Sequence, residues 1–384
     1  MSLGSMNLEA LEKHVKTLLA EGKFELAYEE LKKIQACYES CMSAWASQGH
    51  RALSRHYKAM RNEKKDKKNE VLTEKNKQIV EDVLKDLPPD FIKEPLMVQA
   101  RKLNISFENI PSFRRSMIMR TKGRVSSRLS REWVLNDKKK AYKFAKLIGL
   151  SVPQVYASGV SRWDIDYERL SKTVVKPASG AGSRGVFLFY SKNKIFDVST
   201  GEWMHSHLEM AKKMEREITA GTINSDSWIL EEMVLESEEE NTPARDLKFY
   251  CFYGKVGLVL EISRLGGKKY CEWNGEGNPI NSGKYTNLFK GDGVTEEQLN
   301  FVRQASLKIP APFMRIDFLR SGNAPGKLVF GEFTPRPGNF HAFSVDTDRL
   351  LGSHYLMAEA RLENDLVRNK NAFADYRKFL GIIK

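Results

Sequence analysis

Two carboxylates and a lysine-tipped hairpin carry the chemistry this sequence can offer. Asp317 and Glu332 fall in two apolar β-type runs, 313–320 and 327–333, joined by a short Gly/Pro-containing loop at 321–326. Neighbouring strands can turn both carboxylates to one side, where they would hold Mg²⁺ between ATP phosphates. Magnesium takes a few carboxylate oxygens and completes its shell from water and phosphate. Either carboxylate alone reads as part of a solvated strand face. A second hairpin, with β-type runs at 173–175 and 186–189, brackets a tip containing Ser179, Gly180, Gly182, Ser183 and Gly185. Glycines let backbone N–H groups turn toward an anion, and serine hydroxyls add donors. Lys176, at the end of the first strand, sets an ammonium beside the same anion. The spacing fits neither the Walker A loop nor the dinucleotide fingerprint, and such a tip taken alone is an ordinary mobile hairpin.

These residues need elements to position them. Asn136 and Asp137 cap a helix carrying Lys138, Tyr142, Phe144, Leu147 and Ile148, which Gly149 closes. Residues 152–156 read as a short strand, 204–219 as a helix, and 227–234 as a strand that includes Glu231, Glu232 and Val234. An acidic loop at 236–241 leads to strands at 247–253 and 256–263, then a helix near 295–308 and a last helix near 348–366. Strands dominate the middle and helices flank them, which argues for α+β layering around an antiparallel sheet. Residues 7–87 instead read as helical. Leu8, Leu11, Val15, Leu18 and Leu19 form one stripe, Gly22 breaks it, and Leu26, Ala27, Leu31 and Ile34 form another. One helical hairpin is visible there, not a repeat array. A third helix carries Trp45, Leu53 and Tyr57 and runs into the charged stretch 61–69, and Pro88 and Pro89 end the region.

The chain has 384 residues and a formal net charge of +13, an excess suited to a polyanionic substrate, nucleotide phosphates, nucleic acid or an anionic membrane face. Aromatics are not interleaved with the basic run at 51–77, which ranks nucleic acid below the others. The segment 90–137 is arginine-dense, with Arg114, Arg115, Arg120, Arg124, Arg128 and Arg131; such density suits phosphate or carboxylate recognition, although surface arginines without a partner are common. Cys37, Cys41, Cys251 and Cys271 make no metal-ligand pattern and read as reduced thiols. No apolar run approaches the ~20 residues of a membrane span. The expectation is a cytoplasmic protein, with peripheral contact at the inner membrane face as an option through the basic run. Residues 1–5 read as an expression-tag scar ahead of Met6.

Taken in order, the helix at Lys138, the hairpin at Lys176, the strand ending at Glu231 and the Asp317/Glu332 hairpin resemble the ATP-grasp superfamily over about residues 134–345. The phrases 246–255 and 331–338 look most like the TupA-like ATP-grasp family of teichuronopeptide biosynthesis, associated with attaching amino acids to cell-surface polysaccharides. The resemblance implies an ATP-grasp fold, two α+β subdomains gripping ATP, behind an all-helical N-terminal region. The implied division is a helical domain at 6–89, a transitional basic segment at 90–133, a lid subdomain at 134–230 and a C-terminal subdomain with the metal site at 231–384. Lys138 and Lys176 would grip the ATP phosphates under a lid formed by Ser179 to Gly185. Glu231, with the backbone of Glu232 and Val234, would hold the adenine. Asp246 would take the ribose hydroxyls, with Lys248 beside it. Asp317, Glu332 and Thr334 would hold Mg²⁺, and Arg315 would steady the transferred phosphoryl group. Thr334 stands where classical members place asparagine. Helices also occupy the place of the usual Rossmann-like upstream domain, so substrate recognition there does not carry over.

The implied reaction is amide formation between a small-molecule or glycan carboxylate and an amine, through an acyl phosphate. Arg264 and Arg336 are candidates for clamping the reacting carboxylate, with Trp273 and His341 as weaker candidates nearby. Two alternatives stay open: an ATP-grasp kinase acting on a sugar or polyol hydroxyl, and a non-catalytic adaptor whose N-terminal helices bind a protein partner. The run at 51–77 would contact an anionic polymer or membrane surface, and no nucleic acid is expected.

Overall fold

The computed structural model describes residues 8–23, 25–37, 111–127, 132–179, 183–322, 328–369 and 372–382. The chain forms two compact units, Met1–Pro111 and Ser112–Lys384. In the first, helix α1 (Leu8–Ala20) and helix α2 (25–37) make the hairpin that the apolar spacing predicts. Val15 and Leu18 bury against Ala27, with Ile34 packed on them. The third helix, the basic run 51–77 and the Pro88–Pro89 break lie outside the described residues, as do Arg128 and Arg131.

The second unit holds two antiparallel sheets. The smaller core lies under a six-stranded sheet of order β1-β6-β2-β3-β4-β5. Its strands are β1 (Val155–Val160), β2 (Thr173–Pro177), β3 (Phe187–Ser191), β4 (Lys194–Asp197), β5 (Glu202–Met204) and β6 (Trp228–Glu232). Strand geometry alternates side chains between faces. Thr173, Val175 and Pro177 therefore bury on one side of β2, while Val174 and Lys176 face the other. On the buried side Val175, Phe187, Phe189 and Ile195 meet Met210 and Met214 of helix α3 (His207–Thr219). The first strand begins at Val155 rather than at residue 152. Proline is confined largely to strand edges and starts because it cannot donate to the ladder, and Pro153 stays just outside.

The larger core packs on both faces of a five-stranded sheet, β11-β10-β9-β12-β13, since the successive β9 residues Phe249, Tyr250, Cys251 and Phe252 are all in it. The strands are β9 (Asp246–Phe252), β10 (Lys255–Ser263), β11 (Lys269–Asn274), β12 (Met314–Arg320) and β13 (Leu328–Thr334). Between the two sheets lies a small ribbon, β7 (Leu235–Ser237) with β8 (Thr242–Pro243), in place of a bare acidic loop. Helix α4 (Phe113–Ser127) is part of this core: Phe113 is fully buried and meets Phe252 and Phe313 edge-on at 5.8 and 5.0 Å. Arginine spacing hid it, because arginine-rich segments give no apolar stripe. Helix α5 (Lys138–Leu147), capped as predicted by Asp137 accepting from the Lys140 N–H, also packs here. Phe144 touches Phe333, Tyr376 and Phe379, so the Lys138 helix belongs with the C-terminal sheet, while the six-stranded sheet, expected as a lid subdomain from residue 134, starts only at β1. Helix α6 (Glu296–Leu307) starts with a capping box between Thr295 and Gln298, and helix α7 (Val345–Arg368) lies along α4.

Candidate functional site

The half-buried face of β2 carries Lys176 to a small buried network. Its ammonium pairs with the Glu231 carboxylate, which is only 4% exposed, and donates to the Tyr142 hydroxyl at 2.9 Å. Tyr142, on α5, donates in turn to Glu231 at 2.9 Å. Lys138 donates to the Pro177 carbonyl at 2.7 Å, which brings both predicted phosphate lysines to one place. Burial first, and then the Lys176 charge, lower the Lys138 ammonium from 10.5 to about 8. Glu231, expected at the adenine, spends its carboxylate here on positioning Lys176. The Glu232 N–H is donated to the Gln154 carbonyl at 2.8 Å, and the Val234 carbonyl accepts from the Ala244 N–H at 3.1 Å. Those two backbone groups are thus engaged within the fold.

At the hairpin tip, Gly180 and Gly182 lie outside the described residues, and Ser179 is exposed. Gly185 sits at φ +66°, and a Cβ there would stand 2.5 Å from the Ile223 side chain. Both facts demand glycine for conformation and packing, independently of any anion. Ser183 accepts a bond of 2.9 Å from Arg264, whose Nε also reaches Asp246 at 2.5 Å. Arg264 thus ties the tip of the β2–β3 hairpin to β9. The side chain expected to clamp a substrate carboxylate and the one expected to meet ribose are paired with each other in this structure.

On the five-stranded sheet the register sets Asp317 opposite both Glu332 and Lys248. Arg315 grips Asp317 with two parallel bonds of 2.7 Å, and Lys248 pairs with the same carboxylate. Burial alone would raise the Asp317 carboxyl, but Arg315 and Lys248 hold it down from 3.8 to about 2. Arg315 Nη2 also donates to Glu332 at 3.2 Å and to the Thr334 hydroxyl at 3.0 Å. One cationic nitrogen therefore sits where oxygens from Asp317, Glu332 and Thr334 converge. Two carboxylates and a hydroxyl directed at one positive centre suit a hard, oxygen-liganded cation such as Mg²⁺. Among the described residues no group of three or more His, Cys, Asp or Glu side chains is placed to hold a metal ion, and this centre offers two carboxylates with a hydroxyl.

Other candidates separate from this centre. Arg336 and His341 are exposed, and the His341 carbonyl accepts from Arg114. Trp273 donates to the buried Glu261 at 3.1 Å and packs on the larger core, so it anchors a strand rather than offering a sugar face. In the arginine-dense segment, Arg120 pairs with Glu132 and reaches the Phe313 and Pro335 carbonyls, while Arg124 covers the Trp133 ring at 4.2 Å. These arginines hold structure together. Two residues escaped the sequence reading. Tyr142 lies four residues after Lys138, on the same helical face, and that spacing could have found it. Lys284 donates to the Gly338 carbonyl at 3.0 Å, and burial followed by the Arg315 charge lowers it to about 8. It rides on an irregular segment between β11 and α6, where no periodicity marks it.

No curated protein sequence matches the chain. Among solved structures, the D-alanine–D-alanine ligase of Bacillus anthracis complexed with ATP is similar at 14% identity and TM-score 0.36, covering 61% of this chain and 68% of that one. The ATP-grasp ligase PsnB, complexed with minimal precursor, Mg and ADP, is similar at 11% identity and TM-score 0.35, covering 79% and 73%. An L-amino acid ligase from Bacillus licheniformis is similar at 14% identity and TM-score 0.35, covering 57% of this chain and 48% of its own. The TupA-like ATP-grasp family matches residues 116–356, well over half of the chain and inclusive of every residue of the centre just described. The chain therefore belongs to the TupA-like ATP-grasp family, whose cofactors are ATP and Mg²⁺.

Proposed function

We propose that the protein is an ATP- and Mg²⁺-dependent carboxylate–amine ligase that joins an amino acid or amine to a carboxylate of a cell-surface polysaccharide or its precursor. The observation that supports this best is the pairing of two clusters, the lysines Lys138 and Lys176 and the Asp317–Glu332–Thr334 oxygens around Arg315. The helix of Lys138 packs on β13, the strand that carries Glu332, with the Tyr142 ring 6.0 Å from Phe330 and the Phe144 ring 5.9 Å from Phe333, which supports a shared space for the two clusters. A substrate carboxylate oxygen attacks the γ-phosphorus and ADP leaves, giving an acyl phosphate. The amine then attacks the carbonyl, loses a proton and expels inorganic phosphate. Asp317, Glu332 and Thr334 would hold Mg²⁺, which would supply neutralisation of phosphate charge. Lys138 and Lys176 bind phosphate oxygens, and Glu231 with Tyr142 fixes the direction of Lys176. Arg315 stabilises the negative charge that develops on the transferred group. Arg264, through Ser183 and Asp246, holds the hairpin tip down and keeps water from the acyl phosphate.

The test is a hydroxylamine trap. With ATP, Mg²⁺ and a uronate acceptor present and the amine withheld, an acyl phosphate yields a hydroxamate. Phosphate found esterified to a hydroxyl, with no hydroxamate, would make the protein a kinase and end this reading.

A further inference from the structure

The carboxylate that must attack ATP in the proposed reaction still lacks a cation to hold it. Arg264 is spent on Asp246 and Ser183, and Arg336 is exposed. Lys138 and Lys176 serve phosphate, and Arg315 stands among the Asp317, Glu332 and Thr334 oxygens. Lys284 is left over. It is half-buried, forms no ion pair among the described residues, and donates to the uncharged Gly338 carbonyl at 3.0 Å. The segment that carries it is fixed on several sides. Ser282 donates its N–H to the buried Glu272 carboxylate at 3.0 Å and its hydroxyl to the same group, so that acid is already engaged. The Ser282 carbonyl accepts from the Ser344 N–H at 2.8 Å. Gly283 sits at φ +75°, and a Cβ there would stand 2.9 Å from that of Ser344. Lys284 is thereby pressed against the chain beside Phe343. Its ammonium lies 4.6 Å from the centre of the Phe343 ring and 5.3 Å from that of Tyr285. Phe343 in turn meets the Tyr250 ring at 5.9 Å, and Tyr250 is paired directly opposite Arg315. Alternation puts Lys248 and Tyr250 on the same face as Asp317 and Arg315. Lys284 therefore stands beyond the Arg315 end of that row. Burial, followed by the Arg315 charge, lowers its ammonium to about 8, and it keeps its proton at neutral pH.

We propose that Lys284 holds the carboxylate that is activated, one oxygen accepting from the ammonium while the other is left free to attack the γ-phosphorus beside Arg315. The inference rests on the ligase reading and gives its carboxylate clamp to a residue outside both clusters. Aromatic faces favour the charged ammonium without neutralising it, so the charge stays available to an incoming anion. The phosphates already meet two lysines and Arg315, whereas a singly charged organic acid needs one cation and a surface for its carbon skeleton. The Tyr270 and Tyr285 rings, stacked 4.4 Å apart and half-buried, supply such a surface next to Lys284.

The experiment uses the full chain with Lys284→Met, which keeps an apolar stem against Phe343 and Tyr285 but removes the charge, and Lys284→Arg, which restores it. Hydroxamate formation is measured with ATP, Mg²⁺ and hydroxylamine while galacturonate, the probe carboxylate, is varied. ATP affinity is followed by calorimetry and stability by melting. The expected result is a KM for galacturonate raised at least about tenfold in Lys284→Met and largely recovered in Lys284→Arg, with ATP affinity within about twofold of the parent in both. Lys284→Met should melt no lower than the parent, because a half-buried ammonium without an acid has been removed. An unchanged KM in Lys284→Met overturns the inference. So does a matching loss of ATP affinity, which would make Lys284 a phosphate ligand. A lowered melting temperature with KM recovered by neither variant also overturns it, since Lys284 would then be a support for the turn at Gly338. If the parent forms no hydroxamate from galacturonate or glucuronate, the ligase reading fails and takes the inference with it. Hydroxamate from the parent with KM unmoved in Lys284→Met ends the inference alone and leaves the ligase standing.

Discussion

The two sheets of the catalytic unit treat charge in opposite ways. At the six-stranded sheet, Lys176 pairs with Glu231 while Lys138, on α5, donates to the Pro177 carbonyl, and positive charge is left over. On the five-stranded sheet, Asp317 is 3% exposed and enclosed by Arg315 and Lys248, so its charge is over-compensated by bonds from both. The first cluster thus waits for an anion. The second holds a guanidinium in the position that a metal cation suits. Ligand binding should consequently relieve strain between like charges on one side and exchange one cation for another on the other side.

The largest effect should come from breaking the acidic cluster. Asp317→Asn and Glu332→Gln should each lower ATP turnover by roughly 100-fold or more. They should differ in stability. Glu332 has a side chain 45% exposed, and its variant should melt like the parent. Asp317→Asn leaves two buried cations without their carboxylate, at a cost of about 3–5 kcal/mol in denaturant unfolding. Equal stability of the two variants would show that the Asp317 burial does not matter as described.

Next in size is the tie between the sheets. Arg264→Lys keeps the charge but loses the fork that spans Asp246 and Ser183, and should cost coupled turnover about 1.5–3 kcal/mol in activation free energy. Arg336→Lys, at an exposed side chain, should change little. If Arg336→Lys proves the more damaging, the exposed arginine and not the paired one handles the acceptor.

The stability contributions of the two clusters should both rise with pH, but in separate windows. The Asp317 carboxyl is depressed in the fold, so the stability it contributes is complete above its ordinary 3.8 and is lost as pH falls through about 2. The Lys138 ammonium is also lowered, so here too the folded state binds fewer protons than the unfolded one. Its penalty is complete below about 8 and fades as pH rises toward 10.5. Nucleotide affinity should move the other way, weakening as pH rises through about 8 when the ammonium is lost. Lys138→Arg, permanently charged, should flatten that decline; calorimetry across this range measures it.

The smallest expected effect is that of Tyr142→Phe. It removes the hydroxyl between Lys176 and Glu231 but leaves their ion pair, at about 1 kcal/mol in nucleotide affinity. A loss as large as that of Lys176→Ala would instead make the hydroxyl the principal support of the lysine.

Local signals in the chain were enough for most strands and for the order of the motifs. Alternation placed Lys176 opposite the buried face of β2, and the Asp137 cap fixed where the Lys138 helix starts. The hairpin of β12 and β13 was legible because two apolar runs flank a Gly/Pro loop, and strand pairing then puts Asp317 beside Glu332. Helix α4 was not legible, because its arginines mask Phe113 and Met117, the residues by which it is buried. Strands β4, β5 and β11 are short or partly exposed, and they take their partners from residues that only the folded sheet supplies.

Residue types alone pointed to Lys176 for phosphate and to Asp317 with Glu332 for a hard cation, since that follows from charge and donor chemistry, while Lys138 and Thr334 joined them through the family resemblance. Partnership was decided by tertiary structure. Glu231 became the support of Lys176, Arg264 became the link from Ser183 to Asp246, and Arg315 came to stand among three convergent oxygens. Each pairing joins residues from different strands or from a strand and a helix, and charges so distant in sequence acquire their titration and their partners only when burial removes the competing water.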